Sequence, residues 1–240
     1  PLDRILRNYR SRGKKLEPGI ALRILGKVCA ALEYAHTLST REGSSLGIVH
    51  RDLKPGNVMI GSFGEVLVMD WGLAKASGAD PGEETSGGEG AREPALENLD
   101  RYLASRAPDT DRTQVGSVLG TPVYMPPEQA EGKIEEVDAQ SDIYSLGAIL
   151  YQMLTLEAPF QGNRVAVILA HVLNGNFPPP RECNPEAFIP RDLEAVVLKA
   201  MAQKKTDRYG TVAEMKEDIQ AYLDGRTLGA ASYTPLQLLG

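Results

Sequence analysis

Four stretches of the chain repeat apolar residues at the three- and four-residue spacing that predicts amphipathic helices. Helices are therefore the dominant predicted element, and the repeated positions are the predicted core. Thr211 directly precedes the last stretch and is a predicted N-cap. The four stretches are carried by Ile20, Ile24, Leu25, Val28, Ala31 and Leu32; by Ile143, Leu146, Ile149, Leu150, Met153 and Leu154; by Leu193, Val196, Val197, Ala200 and Met201; and by Val212, Met215, Ile219, Tyr222 and Leu223.

One short hairpin interrupts the helical pattern. Two β-rich runs, 58–60 and 66–69, flank the turn sequence Gly61-Ser62-Phe63-Gly64. In an antiparallel hairpin the start of the first strand lies beside the end of the second. Asn57 and Asp70 are therefore predicted to lie at the same end of the hairpin.

Composition narrows the class of protein. The 240 residues are 42% hydrophobic and 24% charged, as in an ordinary globular domain, which excludes collagen-like, coiled-coil and wholly disordered chains. Two cysteines, Cys29 and Cys183, cannot build a disulfide framework and fit a reducing compartment. The longest apolar run, 165–173, is shorter than the ~18 residues of a membrane span.

The negative charge is concentrated in one segment. Residues 77–113 hold nine acidic and four basic residues, so the other 203 residues carry only −1 of the total net charge of −6. Five glycines in this segment and its charge predict a solvated loop, with a possible short helix after Pro94. The sequence contains no basic stripe of the kind that binds nucleic acid, so no nucleic-acid partner is expected.

An ordered set of motifs carries the chemistry. The run His50-Arg51-Asp52-Leu53-Lys54-Pro55-Gly56-Asn57 is followed by Asp70-Trp71-Gly72, Gly120-Thr121-Pro122, Pro126-Pro127-Glu128 and the run 141–147, and Arg208 stands near the end. Together these motifs resemble the C-terminal lobe of a eukaryotic-type serine/threonine protein kinase, and the sequence around Pro126-Pro127-Glu128 is most similar to the bacterial members of that family. The resemblance covers about residues 1–225, and residues 226–240 are predicted to be a tail or linker.

The resemblance implies a site for phosphoryl transfer, which depends on positioning and charge neutralisation. Asp52 is expected to orient the substrate hydroxyl and accept its proton, and Lys54 to offer a point charge to the moving phosphate. Asn57 and Asp70 are expected to bind Mg²⁺ (or Mn²⁺) with ATP, since both supply hard oxygen ligands. Taken singly, each of these residues could be an ordinary turn residue. Their order along the chain favours the catalytic interpretation.

Further roles follow from the same resemblance. Met59 would lie under the adenine ring, although a core position explains it equally well. Thr121 would contact Asp52 and Lys54 and help select a Ser or Thr substrate. Arg51 indicates activation by phosphorylation of the loop, with Thr110, Thr113 and Ser117 as candidate acceptors that could equally be plain loop hydroxyls.

Four residues are expected to support the site. His50 would pack and hydrogen-bond inside the lobe, and Asp142 would hold the backbone of residues 50–52. Glu128 and Arg208 would form a buried ion pair, with an exposed pair as the alternative.

Three features depart from the family pattern. Trp71 stands where Phe is usual, and Pro127 where Ala is usual; both should be tolerated. The span from Asp70 to Glu128 is 59 residues, longer than most activation segments. The insertion could be a regulatory arm or simply a tolerated loop, and the second is favoured.

The fold class expected is mainly α, within an α+β family fold: a kinase-like C-lobe of packed helices with one short hairpin. The 49 residues before His50 hold no glycine-rich phosphate loop and no strand lysine, so the small N-terminal lobe is predicted to be absent from this stretch. The isolated chain is therefore expected to phosphorylate poorly and to need that lobe as its partner.

Three functions compete at this point. The chain could belong to an ATP-dependent kinase that acts on protein Ser/Thr, to a non-catalytic pseudokinase-like binding module, or to a small-molecule phosphotransferase. Retention of Asp52, Asn57 and Asp70 disfavours the second, and Thr121 with Glu128 disfavours the third. The need for ATP predicts a cytoplasmic location, with a parent protein that could be membrane-anchored.

Overall fold

The computed structural model describes residues 1–39, 46–71, 75–76 and 122–232. Eight α-helices are present in these ranges. They are α1 (Leu2–Ser11), α2 (Pro18–Thr37), α3 (Pro127–Ala130), α4 (Ala139–Thr155), α5 (Val165–Leu173), α6 (Pro180–Cys183), α7 (Arg191–Ala200) and α8 (Val212–Leu223). Five short 3₁₀ helices lie between them, at Pro55–Asn57, Pro122–Tyr124, Ile134–Glu136, Pro185–Ala187 and Lys205–Asp207.

Within the described ranges, four short strands form two antiparallel pairs. The strands are β1 (Ile48–Val49), β2 (Val58–Ile60), β3 (Val66–Val68) and β4 (Lys75–Ala76). The predicted hairpin is confirmed as β2 and β3, with Val58 opposite Val68. The pairing of β1 with β4 was not predicted from the sequence. The mainly helical fold with one hairpin agrees with the predicted class.

The core surrounds α4, whose side chains are buried on almost every side. Its start is fixed by a capping box: the Asp138 carboxylate accepts from the Gln140 N–H at 2.9 Å, and Ser141 Oγ accepts from the Asp138 N–H at 3.1 Å. Gly147 lets α7 approach closely, because a Cβ there would lie 2.8 Å from the Ala200 Cβ. This packing makes α4 the fixed element on which the candidate site is built.

Helix α8 packs along α2 and begins as the sequence predicted. Thr211 Oγ1 accepts from the Glu214 N–H at 3.2 Å, which confirms the predicted N-cap. The predicted inner face of α2 is wrong at its first position, since Ile20 is 42% exposed. Because α2 packs against α4, α8 and the strands, its buried face is instead centred on Leu22, Leu25 and Cys29.

The residues after α8 turn back onto the body as far as the structure describes them. Leu228 is buried, and the Asp218 carboxylate accepts from the backbone N–H groups of Gly229 and Ala230 at 2.6 and 2.9 Å. The tail or linker predicted for residues 226–240 stays a prediction, and residues 233–240 lie outside the described residues. Among the described helices, none has both the length and the apolar character that a membrane crossing needs.

Candidate active site

The loop after β1 is tied to the end of the hairpin by a buried histidine. His50 Nε2 donates to the Met69 carbonyl at 2.9 Å, since a carbonyl only accepts. Its Nδ1 accepts from the Asp52 N–H at 3.3 Å, and together the two bonds match one neutral tautomer of the ring. His50 therefore joins the segment that carries Asp52 to the segment that leads into Asp70.

The next residue has a strained backbone. Arg51 has a φ of +67°, in the left-handed region that costs an ordinary side chain about 1–2 kcal/mol. Asp142, at the start of α4, holds this conformation in place. Its carboxylate accepts from the His50 N–H at 2.8 Å and from the Arg51 N–H at 3.0 Å. A helix that is buried on almost every side thus holds the backbone that presents Asp52.

Asp52 lies in a polar cluster near the surface. Its side chain is 5% exposed, and Oδ2 accepts from Lys54 Nζ at 2.9 Å and from Asn57 Nδ2 at 3.2 Å. Asn57 Nδ2 also donates to the Asp52 carbonyl at 2.9 Å. Three of the predicted site residues, Asp52, Lys54 and Asn57, are therefore in direct contact.

Asp70 is brought to the same place by the hairpin. The Met69 N–H donates to the Asn57 carbonyl at 2.8 Å, which sets Asp70 one residue beyond a backbone contact with Asn57. Asp70 is exposed and, like Arg51, has a positive φ, here +65°. Within the described residues its carboxylate makes no hydrogen bond or ion pair. The predicted neighbourhood of Asn57 and Asp70 follows from the pairing of β2 with β3.

The oxygen donors at this position fit Mg²⁺. Asn57 uses its Nδ2 on Asp52, which leaves the amide oxygen Oδ1 for a ligand, and Asp70 offers a carboxylate. Over the described ranges no group of three or more His, Cys, Asp or Glu side chains could hold a metal. A site of two protein oxygens is nevertheless typical of Mg²⁺, because this ion takes its other ligands from water and substrate phosphates.

An apolar surface adjoins this polar cluster. Met59 on β2 lies directly opposite Leu67 on β3, and both side chains are solvent-exposed at 37% and 59%. The alternative that Met59 belongs to the core is therefore wrong. Its predicted contact with an adenine ring stays a prediction, and it now has an open apolar face to support it.

A buried ion pair anchors the segment that follows the long insertion. Arg208 Nη1 and Nη2 donate to Glu128 Oε1 and Oε2, each at 2.9 Å, and Ser141 Oγ donates to Oε1 at 2.6 Å. The exposed fractions of the side chains are 0% for Arg208 and 6% for Glu128, so the alternative of an exposed pair is wrong. Burial alone would raise the pKa of Glu128, but the hydrogen bonds and charge of Arg208 bring this pKa below its ordinary value.

The remaining hydrogen-bond donors of Arg208 also have acceptors. Its Nε donates to the Ala202 carbonyl at 2.8 Å, and its Nη atoms donate to the carbonyls of Gln140 and Gln203 at 3.1 and 3.2 Å. All five guanidinium N–H groups therefore have an acceptor. The pair connects α3, the start of α4 and the loop after α7 in one network.

His36 is a supporting residue that the sequence did not reveal. Its Nε2 lies 2.8 Å from Asp142 Oδ2 and donates to it, since a carboxylate only accepts. Asp142 thus accepts three hydrogen bonds, from His36, His50 and Arg51. His36 and Asp142 are 106 positions apart in the sequence, which leaves no local signal of this contact.

Both family departures that the structure describes are accommodated. The Trp71 indole N–H donates to the Val68 carbonyl at 2.9 Å, and its ring lies 4.7 Å from that of His50. Pro127 occupies the first turn of α3, where a missing N–H costs nothing. Thr121 and the candidate acceptors Thr110, Thr113 and Ser117 lie outside the described residues, as does the acidic segment 77–113.

Comparison with known proteins shows the family to which the chain is similar. The family described as "Protein kinase domain" matches residues 2–218. The chain is 37% identical over 206 residues to serine/threonine-protein kinase PknD of Protochlamydia amoebophila, which covers 86% of this chain and 19% of that protein. It is 38% identical over 212 residues to serine/threonine-protein kinase PknB of Mycolicibacterium smegmatis, which covers 88% of this chain and 27% of that protein.

The chain therefore spans only about a fifth to a quarter of the length of these relatives. The matched family, by contrast, extends over most of the chain, from α1 into α8. The chain belongs to the protein kinase family, and its relatives are bacterial serine/threonine-protein kinases.

Proposed function

We propose that the polypeptide carrying this chain transfers the γ-phosphoryl group of ATP to serine or threonine hydroxyls of protein substrates. The observation that carries the proposal is the contact of Asp52, Lys54 and Asn57. Asp70 supports it because it directly follows Met69, whose N–H donates to the Asn57 carbonyl. The names of the relatives support the serine/threonine class.

Asp52 is the proposed proton acceptor. The substrate hydroxyl oxygen forms the new bond to phosphorus, the bond from phosphorus to the bridging oxygen of ADP breaks, and the hydroxyl proton passes to the Asp52 carboxylate. Asn57 and Lys54 both donate to Oδ2 of this carboxylate, so it is oriented before substrate arrives. Such preorganisation is how a site with little covalent chemistry accelerates transfer.

Lys54, Asn57 and Asp70 are proposed to act on the negative charge of the phosphates. Lys54 Nζ lies 2.9 Å from Asp52, close enough to offer its charge to the phosphoryl group that approaches the same carboxylate. Asn57 and Asp70 would hold Mg²⁺, which when bound would neutralise negative charge on the phosphates. The exposed Asp70 carboxylate can reach a ligand without breaking a bond to another described residue.

The proposal is tested by phosphate incorporation into a protein substrate, followed by identification of the phosphorylated amino acid. The assay should use the full-length polypeptide encoded by the gene, with the 240-residue chain in parallel. Asp52→Asn should lower the rate by at least the ~10²–10⁴-fold typical of a positioned proton acceptor. Asp207→Asn, at an exposed carboxylate that ends the last 3₁₀ helix before α8, is the matched control and should keep full activity.

Two outcomes would count against the proposal. Normal turnover in Asp52→Asn would remove its assigned role. An inactive full-length protein that still binds a partner through this domain would favour the pseudokinase-like alternative. The 240-residue chain alone is expected to turn over poorly, and robust turnover by it would contradict the prediction that a further lobe is needed.

A further inference from the structure

Gln129 is a buried amide between the two halves of the candidate site. It follows Glu128 in α3, and only 3% of the residue is exposed. Its neighbour Glu128 is fixed by Arg208 and Ser141, so the backbone at Gln129 is fixed as well. An amide buried in this way needs hydrogen-bond partners.

One partner of Gln129 belongs to the loop that carries Asp52. Gln129 Nε2 donates to the Arg51 carbonyl at 3.1 Å, across 78 residues of sequence. This carbonyl is part of the peptide plane that joins Arg51 to Asp52. Any rotation of that plane changes the direction in which the Asp52 side chain leaves the backbone.

The loop is thereby held on both sides of the strained residue. On the N-terminal side of Arg51, the Arg51 N–H donates to the Asp142 carboxylate at 3.0 Å. On its C-terminal side, the Arg51 carbonyl accepts from Gln129. The next carbonyl, that of Asp52, accepts from Asn57 Nδ2 at 2.9 Å. Two side-chain amides thus hold two successive carbonyls, and the Arg51 backbone, with φ at +67°, is the one most in need of such support.

We propose that Gln129 is a positioning residue, which holds the Arg51–Asp52 peptide in the orientation that aims the Asp52 carboxylate. The proposal rests on the proposed function of Asp52. In this proposal α3, which is anchored by Glu128, also connects the segment after the insertion to the Asp52 loop. Gln129 directly follows the Pro126-Pro127-Glu128 motif, and nothing in that motif predicts this contact.

The test compares two near-isosteric replacements. Gln129→Met keeps the length of the side chain and removes the N–H donor. Gln129→Glu keeps the shape and replaces the donor by an acceptor that faces a carbonyl. If the hydrogen bond matters, both variants of the full-length polypeptide should lose about three- to tenfold in kcat, which is the value of one hydrogen bond. The KM for ATP should not change.

Gln140→Met is the matched control. Gln140 Nε2 also donates to backbone carbonyls, those of Lys205 and Tyr209, each at 3.0 Å, far along the chain from the Asp52 loop. This variant should lower the melting temperature to a similar degree and leave kcat unchanged. A purely structural role for Gln129 would instead make kcat follow stability in all three variants.

Backbone hydrogen–deuterium exchange gives a second readout that needs no turnover. Exchange in a peptide covering residues 48–56 should be faster in Gln129→Met and unchanged in Gln140→Met. Full kcat with unchanged exchange in both Gln129 variants would overturn the inference alone. An inactive wild-type polypeptide would defeat the proposed function, and the exchange comparison would still decide whether Gln129 holds the loop.

Discussion

The buried pair of Glu128 and Arg208 allows a prediction of large effect. In Glu128→Leu the guanidinium stays buried, keeps its three backbone carbonyls and loses both bonds to the carboxylate. Arginine cannot escape by losing its proton. Removal of one partner of such a pair costs about 3–5 kcal/mol. At about 2–4 °C per kcal/mol for a chain of this size, the melting temperature should fall by about 10 °C.

Urea denaturation of the 240-residue chain measures this free energy directly. Glu131→Gln is the matched control, because Glu131 lies next to α3 and pairs with Lys133 at 2.7 Å on the exposed surface. Its midpoint should not move. The double variant Glu128→Leu/Arg208→Met should be more stable than Glu128→Leu alone, since no charge remains buried. A loss below about 1 kcal/mol in Glu128→Leu, the value of an exposed pair, would refute the reasoning.

Three further predictions concern the folded chain. The folded state lowers the pKa of Glu128, so its ionised carboxylate stabilises the fold fully above the ordinary carboxyl pKa of about 4.3. This stabilisation is lost as the pH falls through the folded pKa. In Glu128→Gln the free energy of unfolding should therefore fall less steeply over that pH range. Burial raises the pKa of the Cys29 thiol to about 12, so alkylation at pH 8 should label the half-buried Cys183 and spare Cys29; equal labelling would contradict the fold. Thr211→Ala should cost about 1 kcal/mol through loss of the α8 N-cap, and an unchanged urea midpoint would count against that cap.

Local signals in the sequence were sufficient for α2, α4, α7 and α8 and for the hairpin. The cap at Thr211 and the turn at Gly61–Gly64 act within a few residues, so the sequence alone predicts them. The inner face of α2 was harder to predict. Apolar residues occur around most of this helix, and only its packing against α8 and α4 leaves Ile20 outside.

The candidate site likewise contains some contacts that local sequence predicts and others that it does not. Asn57 and Asp70 come together through one hairpin, which the spacing of residues predicts. His36 and Gln129 reach their partners across 106 and 78 residues, and nothing in their neighbouring residues distinguishes them from ordinary helix positions. Contacts of this kind depend on how the helices pack, which a single sequence does not encode locally.

The central claim is that Asp52, Asn57 and Asp70 form one phosphoryl-transfer site. A crystal structure with an ATP analogue and Mn²⁺, located by its anomalous signal, tests this claim most directly. We expect the metal within about 2.0–2.3 Å of Asn57 Oδ1 and an Asp70 carboxylate oxygen, with the Asp52 carboxylate facing the γ-phosphate. A metal bound elsewhere, or a nucleotide whose phosphates lie away from Asp52, would contradict the account.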